Sequence, residues 1–200
     1  MIWAFFWHCH DSLSSAATDD FLPLRHYSND RQAAKNPYRS SPLKISIALA
    51  LYQPDIAQNT GTMLRLGACL GVHVHIIHPT GFPFSAKAIK RSAMDYLEHA
   101  EFTEHASWAH FRDWQLESGR RLVLLTTRAA STSYDAGYAS GDILLMGRES
   151  AGVPDAVAEA ADLRVRIPMR QAMRSLNVAV AASLVLGEAL RQTGHFETLT

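Results

Sequence analysis

Three stretches of the chain carry residue types that could do chemistry together. The first is Leu144 to Pro154, LLMGRESAGVP, where an apolar run ends at Gly147 and the chain turns through Arg-Glu-Ser-Ala to a second glycine. A loop of this kind suits phosphate, a different small ligand, or plain turn formation. A phosphate-binding loop needs Lys and then Ser or Thr after its second glycine, and Val153 and Pro154 stand there instead. A Gly-x-Gly-x-x-Gly dinucleotide fingerprint is also missing from the sequence. What remains is a backbone that a ligand can approach closely, with one carboxylate, Glu149. The second stretch, QPDIAQNTGTMLRL, sets Asn59, Gly61 and Arg65 in a turn and the helix that follows, Arg65 lying among apolar neighbours. The third, RIPMRQAMRSLNVAVAAS, brings a strand end at Ile167 to a loop and to a helix expected to start at Ser175, whose hydroxyl can cap it.

These residues need a frame to hold them. Ile45 to Tyr52 is a short apolar run of the kind a strand shows when buried on both faces, Arg121 to Thr127 and Asp142 to Gly147 are two more apolar strands, and Val72 to His78, β-branched and alternating, and Leu163 to Pro168 also read as strands. Between them lie helical segments: Thr62 to Leu70, a short basic helix after Ser85, one capped by Ser107 and ending near Gly119, one opened by Pro154, and a long one from Ser175 to Gln192. Strand alternating with helix implies an α/β domain with a mainly parallel sheet flanked by helices. Ligands of such sheets sit beyond the carboxyl ends of the strands, which is where Gly147 and Ile167 fall.

Composition bounds the rest. Two hundred residues suit one domain, and 19 basic residues balance 19 acidic ones, so any nucleic-acid surface must be a local patch. Arg164, Arg166, Arg170 and Arg174 offer one beside the third stretch, and Lys87, Lys90 and Arg91 share one helical face. The two cysteines make neither a disulfide framework nor a zinc site. The run His8-Cys9-His10-Asp11 is too compressed to turn four ligands onto one ion, and His73, His75 and His78 read as packing or exposed residues, so no metal is expected. MIWAFFW is too short to span a membrane. Residues 1–42 lack a sustained period and read as a poorly ordered extension, a start assigned upstream, whose deletion should leave activity intact; the domain proper is 43–200.

The three stretches in order resemble the motifs of the SPOUT class of RNA methyltransferases, and IALALYQPDIAQN and HIIHPTGFPFS resemble its TrmL branch. The resemblance covers about residues 44 to 195. It implies a C-terminal trefoil knot, a cytoplasmic homodimer, S-adenosylmethionine as methyl donor, and 2′-O-methylation of the wobble nucleotide, cytidine or modified uridine, in the tRNA anticodon loop. The same cofactor motifs serve enzymes acting on other tRNA positions or on rRNA, and a knotted RNA-binding module without activity would share them too. By similarity, Leu125, Gly147, Ile167 and Ser175 are cofactor positions, Arg65 is the residue at the reacting ribose, and Asn59 and Asn177 orient Arg65 or the loops. Glu149 would position substrate or pair with an arginine. Branch members can carry a tyrosine in the last helix where this chain has Gly187.

Overall fold

The computed structural model describes residues 46–85, 89 and 93–199. The N-terminal extension, its His-Cys-His-Asp run and the basic residues Lys87, Lys90 and Arg91 lie outside them. Seven strands form one sheet in the order β3-β2-β1-β6-β4-β7-β5, and every neighbouring pair is parallel. They are β1 (Ala48–Tyr52), β2 (His73–Ile77), β3 (Phe102–His105), β4 (Leu122–Leu125), β5 (Ser131–Thr132), β6 (Ile143–Met146) and β7 (Leu163–Arg166). Among the described residues the α-helices are α1 (Ala57–Leu70), α2 (Trp108–Ser118) and α3 (Asp155–Glu159), each between two strands, and α4 (Val178–Gln192), which follows β7.

The period of two along each strand divides the core into two layers. Leu49, Leu51, Val123, Leu144 and Val165 point to one side, where they meet Met63 and Leu64 of α1 and Val185 and Leu186 of α4. Ala48, Ala50, Leu122, Leu124, Ile143 and Leu145 point to the other, against Phe111 of α2 and Val157 of α3. Both faces of β1 and β6 are thus closed to water, which is why these strands appear in the sequence as unbroken apolar runs.

Local chemistry sets the helix ends. Ser107 caps α2 by accepting the His110 N–H at 3.3 Å, and Gly119 ends it in the left-handed region at φ 64°, as the sequence implies. Two other boundaries differ from the expectation. α1 begins at Ala57 rather than Thr62, so Asn59 and Gly61 lie within its first turns; one interior glycine costs only about 1 kcal/mol, which tertiary packing offsets. α4 begins at Val178, not Ser175. Asn177 is its cap, with Oδ1 accepting the N–H groups of Ala179 (2.9 Å) and Val180 (3.3 Å). Pro154 likewise sits at the cap position of α3, one residue before the helix.

Strand β3 brings a histidine pair into the α2 layer. His75 Nδ1 lies 3.0 Å from His105 Nε2, Trp114 stacks on His75, and His75 Nε2 is buried without a hydrogen-bond partner. Burial, and then the positive fields of His73, His105 and Arg120, pull His75 from 6.5 to about 2. The folded chain therefore leaves His75 neutral through mild acid while the unfolded chain protonates it, so the destabilisation is absent above about pH 6.5 and grows as pH falls toward the folded value. At about 1.4 kcal/mol per unit, His75 alone lowers stability by about 3 kcal/mol between neutrality and pH ~4.5. Urea unfolding at the two pH values checks this, and imidazole NMR should show His75 untitrated across the interval; an unchanged midpoint would contradict it.

Candidate functional site

The carboxyl ends of β6, β4 and β7, neighbours in the sheet, open into a cleft of about 450 Å³, within the size range of small-molecule sites. Leu125 ends β4, Gly147 follows β6 and Ile167 follows β7, and all three line it. Ser175 and Leu176 close one side from the loop before α4, and Asn59 of α1 closes another. The four positions assigned to the cofactor by resemblance are therefore brought together at one cleft, from residues up to 50 apart in the chain.

Its glycine wall is a five-residue hairpin. Arg148 and Gly152 exchange backbone hydrogen bonds of 2.9 Å in both directions, and Gly152 turns the chain at φ 67°. A Cβ on Gly147 would lie 2.8 Å from the Gly152 carbonyl carbon and 2.9 Å from its Cα, so only glycine permits this closure. The remaining walls include the aliphatic side chains of Leu125, Met146, Val165 and Val178. Apolar sides beside polar lining residues suit a flat heterocycle, and the lysine that a phosphate loop needs is missing from the wall.

Two polar latches fix the loops around the cleft. Glu149 accepts the Asp55 N–H at 2.8 Å and the Asn59 amide Nδ2 at 3.0 Å, while Asn59 Oδ1 accepts from Asn177 Nδ2 at 3.0 Å. Because Asn177 also caps α4, this chain of bonds ties the β1–α1 loop, the glycine hairpin and the start of α4 into one unit. The Glu149 bonds resolved here run to Asp55 and Asn59; the arginine pairing left open by the sequence is made by Asp55 instead. Asp55 receives Arg148 at 2.7 and 3.1 Å and Ser150 through both N–H and hydroxyl. The Arg148 guanidinium, then the Ser150 hydroxyl, hold the Asp55 carboxyl down at about 2. No feature of its own sequence neighbourhood singled out Asp55.

Arg65 is placed differently. It is not among the residues lining the cleft; it lies on the outward stripe of α1 with Gln58, Thr62 and Cys69, six residues or about 9 Å along the axis from Asn59. Its guanidinium carbon sits 4.6 Å above the centre of the Tyr96 ring. Of the four arginines in or just before the third stretch, Arg164, Arg170 and Arg174 are exposed and Arg166 is half-buried on the cleft wall. Among the described residues, no cluster of His, Cys, Asp or Glu is arranged to hold a metal ion.

Residues 46–187 match the family described as the SpoU rRNA Methylase family. The chain belongs to that family. A tRNA (cytidine(34)-2'-O)-methyltransferase of Beijerinckia indica is 62% identical over 146 residues, covering 73% of this chain and 91% of the relative. The enzyme of the same name from Escherichia coli (strain K12) is 38% identical, covering 74% and 94%. Among solved structures, one described as giving insights into the 2-OH methylation of C/U34 on tRNA superposes with a TM-score of 0.70 at 38% identity, covering 74% of this chain and 97% of its own. An AdoMet-bound rRNA methyltransferase from Sinorhizobium meliloti superposes at 0.68 with 28% identity, covering 76% and 58%. The SpoU sheet, with its helices on both faces, is thus the frame that positions the cleft.

Proposed function

We propose that this SpoU-family chain transfers the methyl group of S-adenosylmethionine to the ribose 2′-oxygen of the wobble nucleotide, cytidine or modified uridine, of tRNA. The observation that carries the reading is the joint match: relatives at 62% and 38% identity over nearly their whole length bear the name of that reaction, and the residues of all three motifs converge on one cleft. The donor, when bound, supplies an electrophilic methyl on a sulfonium. The cleft fits it in size, in its apolar walls, and in the tight hairpin wall that only glycine at position 147 lets close.

The protein's contribution is alignment and charge. In-line displacement profits from fixed geometry, and the Glu149–Asn59–Asn177 chain supplies it by locking the loops on either side of the cleft. Both ends of the Asn59 amide are engaged there, so Asn59 acts as a positioning residue. Arg65 stabilises the negative charge that develops on the ribose oxygen as its proton leaves. A guanidinium is effectively always protonated, which suits it to that part and not to taking the proton. Arg164, Arg166, Arg170 and Arg174 supply phosphate contacts to the anticodon loop.

The segment after β7 is read as threaded into a trefoil knot. The contact that supports it ties α4 to the chain before β6: Gln192 accepts the Tyr138 N–H at 2.9 Å and donates to Ala136 O at 3.0 Å. The working unit is read as a homodimer in the cytoplasm, where its tRNA is; no described helix is long and apolar enough to cross a membrane. Val180 and Leu184 lie one turn apart on α4 and are 49% and 42% exposed, an apolar patch that a second copy would cover. Leu184→Glu is expected to shift the protein from dimer to monomer in light scattering with its circular dichroism unchanged; a dimer that persists would contradict this surface.

The reaction itself is tested with labelled S-adenosylmethionine and total RNA from cells lacking the modification, followed by nuclease digestion and mass spectrometry. The expected product is a 2′-O-methylated nucleotide at the wobble position. Label confined to rRNA, or at another tRNA position, would overturn the wobble assignment and favour the rRNA activity that the family description and the Sinorhizobium meliloti neighbour bear in name.

A further inference from the structure

The sulfonium of S-adenosylmethionine carries a fixed positive charge, and the charged side chains lining the cleft are two cations and one anion: Arg148, Arg166 and Glu149. Glu149 accepts from neutral groups, the Asp55 N–H and the Asn59 amide, and neither Glu149 nor Arg166 makes an ion pair among the described residues. Arg148 does. Its Nη2 and Nε donate to Asp55 Oδ1 at 2.7 and 3.1 Å, and Asp55 itself lies outside the lining. The carboxylate is held there from several sides. Its Oδ2 accepts the Ser150 N–H at 3.1 Å and the Ser150 hydroxyl, and its backbone N–H donates to Glu149. Gly81 closes on the same residue: its N–H donates to Pro54 O at 2.9 Å, and a Cβ on it would stand 2.9 Å from Asp55 Cα.

We propose that Asp55 is a specificity-determining residue for the methyl donor, cancelling the charge of Arg148 so that the cleft admits the cationic donor in preference to its neutral product; the proposal rests on the methyl-donor reading above. S-adenosylhomocysteine differs from the donor by one methyl group and by the sulfonium charge. That charge is the handle by which a site built around the shared nucleoside can tell the two apart. With Asp55 in place, the charges of Asp55, Arg148, Glu149 and Arg166 sum to zero. Without it they leave a net +1, which repels a sulfonium and acts little on a thioether. The Asp55 carboxyl stays ionised far below neutrality, because Arg148 and then Ser150 hold it down at about 2. Part-exposed ion pairs contribute little to the stability of a fold, so the charge of Asp55 acts chiefly on what enters the cleft.

Calorimetric titration of the full chain tests this in Asp55→Asn, Arg148→Gln and the double variant. The ligands are S-adenosylmethionine, S-adenosylhomocysteine and sinefungin, which carries an ammonium group where the donor has its methylated sulfur. The quantity read is the Kd of each cationic ligand divided by that of S-adenosylhomocysteine, a ratio from which any shared loss through a loosened hairpin cancels. Asp55→Asn should raise both ratios by about fivefold, the effect of one unit charge across a part-exposed rim. Arg148→Gln should lower them by a similar factor, because Asp55 then stands uncompensated, and the double variant should return to within about twofold of wild type. Raising KCl from about 50 to about 500 mM should shrink both shifts. Weaker binding of all three ligands in Asp55→Asn at unchanged ratios would make Asp55 a mechanical latch and overturn the proposal alone. Ratios that move the same way in the two single variants would also overturn it, since opposite charges must act oppositely. Should Asp55→Asn fail to fold, Arg148→Gln decides by itself, and a ratio that does not fall there overturns the proposal. A wild-type chain that binds none of the three ligands would remove the methyl-donor reading and the proposal with it.

Discussion

Arg65→Ala lowers turnover by a factor of about 10²–10³ and leaves the affinity for S-adenosylmethionine within about twofold. The size follows from what a single well-placed donor to a developing oxyanion is worth, about 3–4 kcal/mol. The selectivity follows from position. Arg65 stands on the outward stripe of α1, about 9 Å along the axis from Asn59, and is not part of the cleft wall. Removing its side chain takes nothing from the walls formed by Leu125, Gly147 and Ile167. Single-turnover methylation beside calorimetric titration separates the two quantities. If cofactor binding disappeared with turnover, Arg65 would be a cleft residue and the assignment of charge stabilisation would be wrong.

Gly147→Ala reverses that pattern. Its added carbon would meet the Gly152 backbone at 2.8 and 2.9 Å, closer than Cβ atoms approach in real structures, and no flexible side chain is there to yield. The hairpin must open, breaking the paired 2.9 Å bonds between Arg148 and Gly152 and displacing the latch through Glu149. Cofactor affinity should fall by about a hundredfold, equivalent to about 2.7 kcal/mol, with turnover lost at ordinary cofactor concentrations. Gly152→Ala is the control. Its Cβ meets open space, and the cost is the positive φ of 67°, about 1 kcal/mol of stability with a small effect on affinity. Equal behaviour of the two variants, or normal binding by Gly147→Ala, would show that the close approach is not what shapes the site.

β1, β4 and β6 were legible because each shows in the sequence as a short apolar run, as strands closed to water on both faces do. β7, Leu-Arg-Val-Arg with only Val165 buried, was read as a strand without being an apolar run. β3 was not legible. It is an edge strand, Phe-Thr-Glu-His, with only His105 buried, so neither period nor hydropathy marks it, and the histidine pair it makes with β2 went unseen. β5 is two residues long. Helix starts failed where side chains were read too literally. Asn-Thr-Gly suggested a turn, although α1 runs through it, and Ser175 suggested a cap, although Asn177 serves.

The same distinction holds in the site. Positions fixed by a strand end follow from local sequence, whereas the bonds from Glu149 to Asn59 and from Asn59 to Asn177 join residues 90 and 118 apart and exist only through the fold. The partner of Arg148 is a case in point. Asp55 lies 93 positions away, and choosing it over Glu149, the immediate neighbour, depends on how the β1–α1 loop meets the hairpin.

The central claim is that the loops beyond β4, β6 and β7 hold the methyl donor. A crystal structure of the chain grown with S-adenosylhomocysteine tests it most directly. The account predicts the adenosine between Leu125, Gly147 and Ile167, with Ser175 and Leu176 closing over it. Nucleoside density elsewhere on the molecule, or a bare cleft at saturating concentration, would contradict it.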